Sequence, residues 1–325
     1  MKLSRRQFLH LAVGAAALPA VSRVARAQAY PTRPVRLIVP FGPAGATDIT
    51  ARLIGQWLSE RLGQQFVTEN RPGAGSNVGT ETVVRAAPDG YTLGLFGAPS
   101  AINATLYDKL NFNFVRDIAP IAPIVGFPYI MVVNPSVPAK ALPEFIAYAK
   151  ANPGKINMAS VGVGSVPHIA GELFKMMTGT NLVHVPYRSA AAVMTDLLSG
   201  QVQLYFGTTA SSLEYVRTGK LRALAVTIER RLDAFPDIPA VAEFVPGYEA
   251  SNWFGVGAPR NTPVEIIDKL NKEINAALAD PKMKSRLADL GGTVLPGSPA
   301  AFGKLIAEET EKWGNVIRAL NIKAD

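Results

Sequence analysis

Apolar residues fall along the chain in two alternating patterns. Short, nearly continuous apolar runs read as buried strands, and longer stretches with apolar residues three or four apart read as helices. The first pair sets the pattern. Residues 35–39 form an apolar run, and in residues 49–62 Ile49, Leu53, Ile54, Trp57, Leu58 and Leu62 recur at helical spacing. Further strands are expected at 66–70, 91–96, 127–135, 156–161, 181–185, 201–206, 221–226 and 253–258. Helices are expected at 80–86, 101–107, 141–151, 169–177 and 190–198, with another entering Thr218 and three at 263–278, 281–290 and 299–320. Strands alternating with helices predict an α/β fold built on mostly parallel sheets. Residues 229–246 are proline-rich and read as irregular.

Five of the strand-to-helix connections share one composition. They lie at 41–48, 97–100, 162–168, 187–190 and 207–211, and are rich in Gly, Ser, Thr and Ala. In open α/β sheets such turns lie past the carboxyl ends of the strands, where ligands bind. Helix N-termini carry unpaired N–H groups and a positive dipole end, and small residues let a ligand approach them. The pattern therefore points to a carboxylate or phosphate site. A plainer reading makes Thr47 or Asp48 the N-cap of the first helix, Ser100 and Ser165 caps of theirs, and Thr262 with Glu265 a capping box. Ser165 and His168 invite a nucleophile–base reading, but no orienting carboxylate accompanies them, and an imidazole facing a ligand is favoured. His184 reads as a surface or half-buried strand residue. Gly162-x-Gly164 is not a dinucleotide fingerprint, because Pro167 stands where the third glycine belongs.

Composition narrows the classes. The chain has 325 residues, enough for two domains, and carries a formal charge of +8. Five cations and no acid lie in the first 27 residues, leaving +3 for the remainder, without the basic, aromatic-interleaved block of a nucleic-acid binder. There is no cysteine, which excludes disulfides, thiolate metal sites and cysteine nucleophiles, and three histidines are too few for a His-rich metal site. No cofactor or metal is expected. Lys2, Arg5 and Arg6 precede an alanine-rich apolar segment at 8–21 and Ala25-Arg26-Ala27, so residues 1–27 read as an export signal cleaved before Gln28. Ser4-Arg5-Arg6-Gln7-Phe8-Leu9 is similar to a twin-arginine motif, with general secretion as the alternative route. Either route places the mature protein outside the cytoplasm.

Several blocks in order carry a family resemblance: Pro40-Phe-Gly-Pro-Ala-Gly-Ala-Thr-Asp48, Glu69-Asn-Arg-Pro-Gly-Ala-Gly-Ser-Asn-Val-Gly79, Ala87-Pro-Asp-Gly-Tyr-Thr-Leu93, His184-Val-Pro-Tyr-Arg188 and Met194-Thr-Asp-Leu-Leu-Ser-Gly-Gln-Val202. Together they resemble the Bug (TctC-like) family, the extracytoplasmic solute-binding proteins of tripartite tricarboxylate transporters. The resemblance spans residues 30–322. It implies a two-domain periplasmic-binding-protein (Venus-flytrap) fold, each domain a mostly parallel sheet flanked by helices. Domain 1 would comprise 28–127 and 252–325, and domain 2 would comprise 128–251. Two crossover strands are placed at 127–133 and 253–256.

The resemblance further implies a small organic acid held in the cleft by Phe41, Gly42, Ala44, Gly45, Ala46, Thr47, Asp48, Ala98 and Ser100 of domain 1. From domain 2 come Gly162, Gly164, Ser165, His168, Tyr187, Ser189, Ala190 and Thr208. Asp48 could meet the ligand or only cap its helix. The family commonly has Gly-Gly where Ala44-Gly45 stands, and Gly where Ser189 stands. A Cβ at either place narrows backbone approach. The expected partners are the organic acid and the membrane subunits of a transporter, with the receptor itself a monomer and not an enzyme. A ligand-presenting sensor and an exported hydrolase are the alternatives.

Overall fold

The structure, a computed structural model, describes residues 30–232 and 235–324. The expected signal segment at 1–27 lies outside the described residues. Strands β1 (Val35–Val39), β2 (Phe66–Asn70), β3 (Thr92–Gly97), β4 (Ile118–Val133), β9 (Ser251–Pro259) and β10 (Thr293–Val294) form a first sheet in the order β2-β1-β3-β9-β4-β10. The far half of β4 continues into a second sheet with β5 (Asn157–Ser160), β6 (Val183–Pro186), β7 (Leu204–Thr208) and β8 (Arg222–Val226), ordered β6-β5-β7-β4-β8.

The two sheets repeat one plan. In each, the first of the three parallel strands (β1 or β5) sits between the other two and runs parallel to both. Apart from Arg36, which pairs with Glu69, β1 is apolar on both faces because helices cover both: α1 (Ala46–Leu62) packs on one side and α2 (Asn77–Val84) on the other, as right-handed β–α–β crossovers to opposite neighbours require. α3 (Ala98–Leu106) follows β3, and α4 is the short Phe114–Asp117 turn. In the second sheet α5 (Leu142–Ala151) precedes β5, while α6 (Val166–Thr178), α7 (Ala190–Ser199) and α8 (Thr209–Arg217) follow β5, β6 and β7. Only these turn-bearing halves are parallel; β9 pairs antiparallel with β3 in the first sheet, and β4, which runs through both sheets, pairs antiparallel with β9 and β7.

The first passage between the sheets falls within the expected 127–133, on a longer strand than expected, and the second lies outside the expected 253–256. β4 is one 16-residue strand that begins at Ile118, nine residues before the expected start. Its ladder with β9 runs from Ile118↔Pro259 to Pro128↔Ser251 and shifts register beside Pro120 and Pro123, where proline offers no N–H to the ladder. The passage between sheets falls at the end of that ladder, near Pro128 and Ser251, whereas residues 253–256 lie wholly inside the first sheet.

After β9 come α9 (Val264–Ala279), α10 (Pro281–Asp289) and α11 (Pro299–Ala319). Thr262 does not cap α9: its hydroxyl donates to the Pro259 carbonyl at 2.8 Å, and Pro263 holds the cap position. α11 lies on α3 and β4, burying Phe302 and Trp313. It also anchors the second crossover. The Glu309 carboxylate accepts from the Trp253 and Trp313 indoles at 3.2 and 2.8 Å, and Lys312 pairs with both Glu309 and Glu249.

Candidate functional site

The turn after β1 is built around Asp48, which is 3% exposed. Neither Thr47 nor Asp48 is the N-cap of α1. Gly45 holds that position, and Asp48 sits in the first turn with its carboxylate folded back. Its Oδ2 accepts from the Ala44 N–H and from Arg52 Nε, each at 3.0 Å, and its Oδ1 accepts from Asn70 Nδ2 at 3.0 Å. Burial alone would push its pKa up, but the bonds from Arg52, Ala44 and Asn70 outweigh burial and hold it below the ordinary carboxylate value. Asn70 Nδ2 also holds the Phe41 carbonyl at 3.0 Å. Asp48 is therefore the brace of the turn, and its oxygens are spent on the protein.

Ala44 carries a φ of +66°, which an L-residue other than glycine adopts at a cost of roughly 1–2 kcal/mol. The Asp48–Ala44 bond holds it there. Gly42, Ala44 and Gly45 are exposed, Phe41 and Ala46 half-buried, and Thr47 buried. Ile49 is the first residue of α1 whose N–H reaches a helical carbonyl, that of Gly45, so the N–H groups of 46–48 must be met from outside the helix.

α3 begins at Ala98 with Gly97 as its cap, so Ser100 lies inside the first turn instead of capping it. Ser100 is 3% exposed, and its Oγ is one of three buried side-chain polar atoms without a partner among the described residues. Ala98 is buried and its N–H goes to Asn252 Oδ1 at 3.2 Å.

The turn after β5 is the counterpart of the turn after β1, and two histidines brace it. His168 Nδ1 accepts from the Gly164 N–H at 3.1 Å, and its ring stacks on His184 with centroids 3.8 Å apart. His184 Nε2 lies 2.6 Å from Ser160 Oγ, which accepts the Gly162 N–H at 3.1 Å. Burial, with the neighbouring His184 and Lys175, lowers the pKa of His168 to about 3, so it is neutral and its Nε2 keeps the proton toward Glu172. The expected ligand-facing imidazole is thus a buried support behind the turn. Gly162 and Gly164 have φ of +121° and +73°. A Cβ on Gly164 would come within 2.2 Å of Leu106 Cδ2 at the end of α3, so the turn abuts the first sheet's helices. Ser165 occupies the cap position of α6, but its hydroxyl donates to the Gly162 carbonyl at 2.6 Å and leaves the helix uncapped.

The last two turns differ in one respect. Ser189 caps α7 by accepting from Ala192 N–H at 3.3 Å, and Thr208 caps α8 by accepting from Ser211 N–H at 3.2 Å. Tyr187 spends its hydroxyl on Asp196 Oδ2 at 2.7 Å, and burial together with Asp196 pushes its pKa up to about 12. Ala190 opens α7, half-buried. Among the described residues, then, side chains cap α7 and α8, the Asn252 side chain takes the first N–H of α3, and α1 and α6 are left bare. The anion-binding capacity concentrates at the equivalent turns after β1 and β5, with Ser100 beside them.

A cavity of about 1240 Å³ lies elsewhere, beside β4 and the start of β9, among Pro128, Leu213, Phe235, Leu295, Glu309 and Lys312. Of the five expected turns only that at 207–211 reaches it, through Thr209 and Ala210, and none of the expected ligand contacts lines it. Half-buried Lys312 on its wall pairs with both Glu309 and Glu249. No group of three or more His, Cys, Asp or Glu among the described residues could hold a metal. Sequence reasoning missed the bracing roles of Asn70, Ser160 and His184. For His184 the one available signal was its place inside the His184–Arg188 block.

A sequence model of the tripartite tricarboxylate transporter receptor family matches residues 50–322. Protein BugT of Bordetella pertussis is 37% identical over 300 residues, covering 91% of this chain and 92% of BugT. Among solved structures, a periplasmic transporter is 39% identical with a TM-score of 0.77, covering 91% of this chain and all of that one. An R. palustris protein with adipate is 35% identical with a TM-score of 0.77, covering 90% and 99%. MatC from Rhodopseudomonas palustris with bound malate is 31% identical with a TM-score of 0.74, covering 89% and 100%.

Proposed function

The chain belongs to the tripartite tricarboxylate transporter receptor family, whose fold is that of the two-domain periplasmic binding proteins, and from that premise we propose that it captures a small organic acid. The acid binds between the two sheets, and the closed form presents it to the membrane subunits of a transporter. One observation carries this reading. The two equivalent turns, after β1 and after β5, each open a helix that no side chain caps, and the residues around them are small. Such ends attract a carboxylate through N–H groups and the helix dipole, without a dedicated arginine. Adipate and malate in the two relatives are acids of this class.

Residues 28–127 with 252–325 form one domain and 128–251 the other, turning about the strand passages near Pro128 and Ser251. Closure would bring α1 and α6 onto one ligand. Thr47, the small residues 42–46, Ser100 and the 162–165 turn line the cleft, with Asp48 and His168 acting behind it. The receptor is a monomer outside the cytoplasm, exported by residues 1–27 with cleavage before Gln28. The test is a thermal-shift screen of residues 28–325 against organic acids, sugars, cations and nucleotides. An acid at a hundred times its Kd adds about 2.7 kcal/mol of stability. Stabilisation by a sugar, cation or nucleotide but by no acid would sink the reading.

A further inference from the structure

Lys312 and Glu249 are held by different parts of the molecule, and the bond between them joins those parts. Lys312 Nζ donates to Glu249 Oε2 at 2.5 Å and to the Glu249 carbonyl at 3.4 Å, and it also pairs with Glu309. Both side chains are 26% exposed, so water and salt screen the pair only in part. Among the described residues no other ion pair runs between residues 128–251 and the rest of the chain.

The Lys312 end belongs to the first sheet. α11 packs on α3 and β4, Trp313 is buried, and Glu309 accepts from the Trp253 indole of β9. The Glu249 end belongs to the second. Tyr248 is fully buried and donates its hydroxyl to the Ala170 carbonyl of α6 at 3.0 Å, and the Ala250 N–H goes to the Thr227 carbonyl at 2.9 Å. Glu249 sits between these two anchors, and the Ser251 hydroxyl aims its carboxylate by donating to Oε1 at 2.6 Å. Lys312 thus reaches, through Glu249 and Tyr248, the helix whose uncapped start follows the turn after β5. That start is seated on the first sheet's helices, with Gly164 against Leu106 of α3 and α11 against α6. The cavity beside β4 has both Lys312 and Glu249 on its wall, which leaves Glu249 room to swing away.

We propose that the Lys312–Glu249 pair is a strap that keeps α6 seated on α3 and α11, and so sets the fraction of receptor ready to bind. It deepens the organic-acid reading above, on which it rests, by adding a control of affinity outside the expected contacts. Lys312 and Glu249 are positioning residues, acting on the acid through α6. With the strap closed, the seated arrangement dominates before ligand arrives. With it broken, the sheets part more often at the passages near Pro128 and Ser251, and the apparent Kd rises as the seated fraction falls.

The test uses Glu249→Ala, which frees the strap while Glu309 still neutralises Lys312. The chain has no cysteine, so Lys109→Cys after α3 and Asn181→Cys after α6, both exposed, carry one spin label each. Pulsed dipolar spectroscopy reads the distance between them in the ligand-free protein. The wild-type strap should give one dominant distance. Glu249→Ala should add a longer population, and Glu249→Gln, which keeps a neutral bond to Lys312, should fall between. Calorimetry with malate and adipate gives the second readout. A bond to a charged group corresponds to roughly ten- to hundredfold in an equilibrium, and we expect Kd to rise by about threefold or more in Glu249→Ala. Unchanged distances in Glu249→Ala would overturn the strap, whatever the acids do; Glu249→Gln decides the matter in the same way if Glu249→Ala folds poorly. A longer population with an unchanged Kd would overturn the control of affinity. If the longer population appears but the wild type binds no organic acid, the strap is upheld and the organic-acid reading falls.

Discussion

Replacing Asp48 by Asn isolates the brace of the first turn. The carboxylate accepts three bonds at 3.0 Å, from Ala44, Arg52 and Asn70. An amide has one oxygen, so either Ala44 and Arg52 or Asn70 would face an NH2 group. If Asn70 turns to present its own oxygen, it lets go of the Phe41 carbonyl. The loss of one charge-assisted bond in a 3%-exposed position costs about 1.5–3 kcal/mol. The Arg52 ion pair adds little, because that side chain is 54% exposed. We expect a net loss of about 2–3 kcal/mol, read as a shift in the urea midpoint at pH 7. Ligand affinity should fall by about tenfold, since Ala44 loses the bond that keeps its φ positive. The effect has a pH signature. Asp48 is held below its unfolded pKa of 3.8, so its stabilisation is complete above that value and fades as pH falls through the folded one. Wild type and Asp48→Asn should therefore converge in stability below about pH 4. Equal stability at pH 7 with intact ligand affinity would refute the assignment of Asp48 as a brace.

Three further outcomes follow from the same geometry. Ala44→Gly relieves a left-handed alanine at the cost of backbone entropy, so urea unfolding should show a change between zero and about 1 kcal/mol in favour of the variant, not the usual loss. Gly164→Ala brings a Cβ to 2.2 Å from Leu106 Cδ2 at a φ of +73°, and should lower stability by about 1–3 kcal/mol and weaken ligand binding by calorimetry. His168 is buried neutral with its pKa lowered to about 3, so its contribution is complete above the unfolded value near 6.5 and is lost as pH falls toward the folded one. His168→Asn should flatten the decline in urea stability between pH 7 and 4.5; an unchanged slope would count against the buried neutral ring.

The strands β1, β3 and β5 were legible because their apolar runs are short and end at glycine, proline or serine. The first half of β4 was not, because Pro120 and Pro123 are the residues that ordinarily break a strand, and bulges at both let this one continue. Capping was the weakest reading. Thr47, Ser100, Ser165 and Thr262 each have the right chemistry within three positions of a cap, and a sequence does not reveal which carbonyl a hydroxyl will find first. The turns after β1 and β5 were visible as glycine-rich segments. Their supports were not, since Asn70, Ser160 and His184 act through tertiary contacts 22 or more residues from their partners in the cases of Asp48 and Ser160.

The bare starts of α1 and α6 bear on inheritance as well as on binding. The groups they leave open are main-chain amides, and no single codon specifies them. Drift among the surrounding small residues can reshape the cleft and exchange one acid for another, yet it cannot delete those donors. In α1 two kinds of change can: a proline within the first turn, which removes an N–H as Pro167 already does in α6, or a residue such as serine at Gly45, whose hydroxyl could turn onto the helix. Selection can thus retune what this receptor carries over long lineages while its taste for negative charge persists by default.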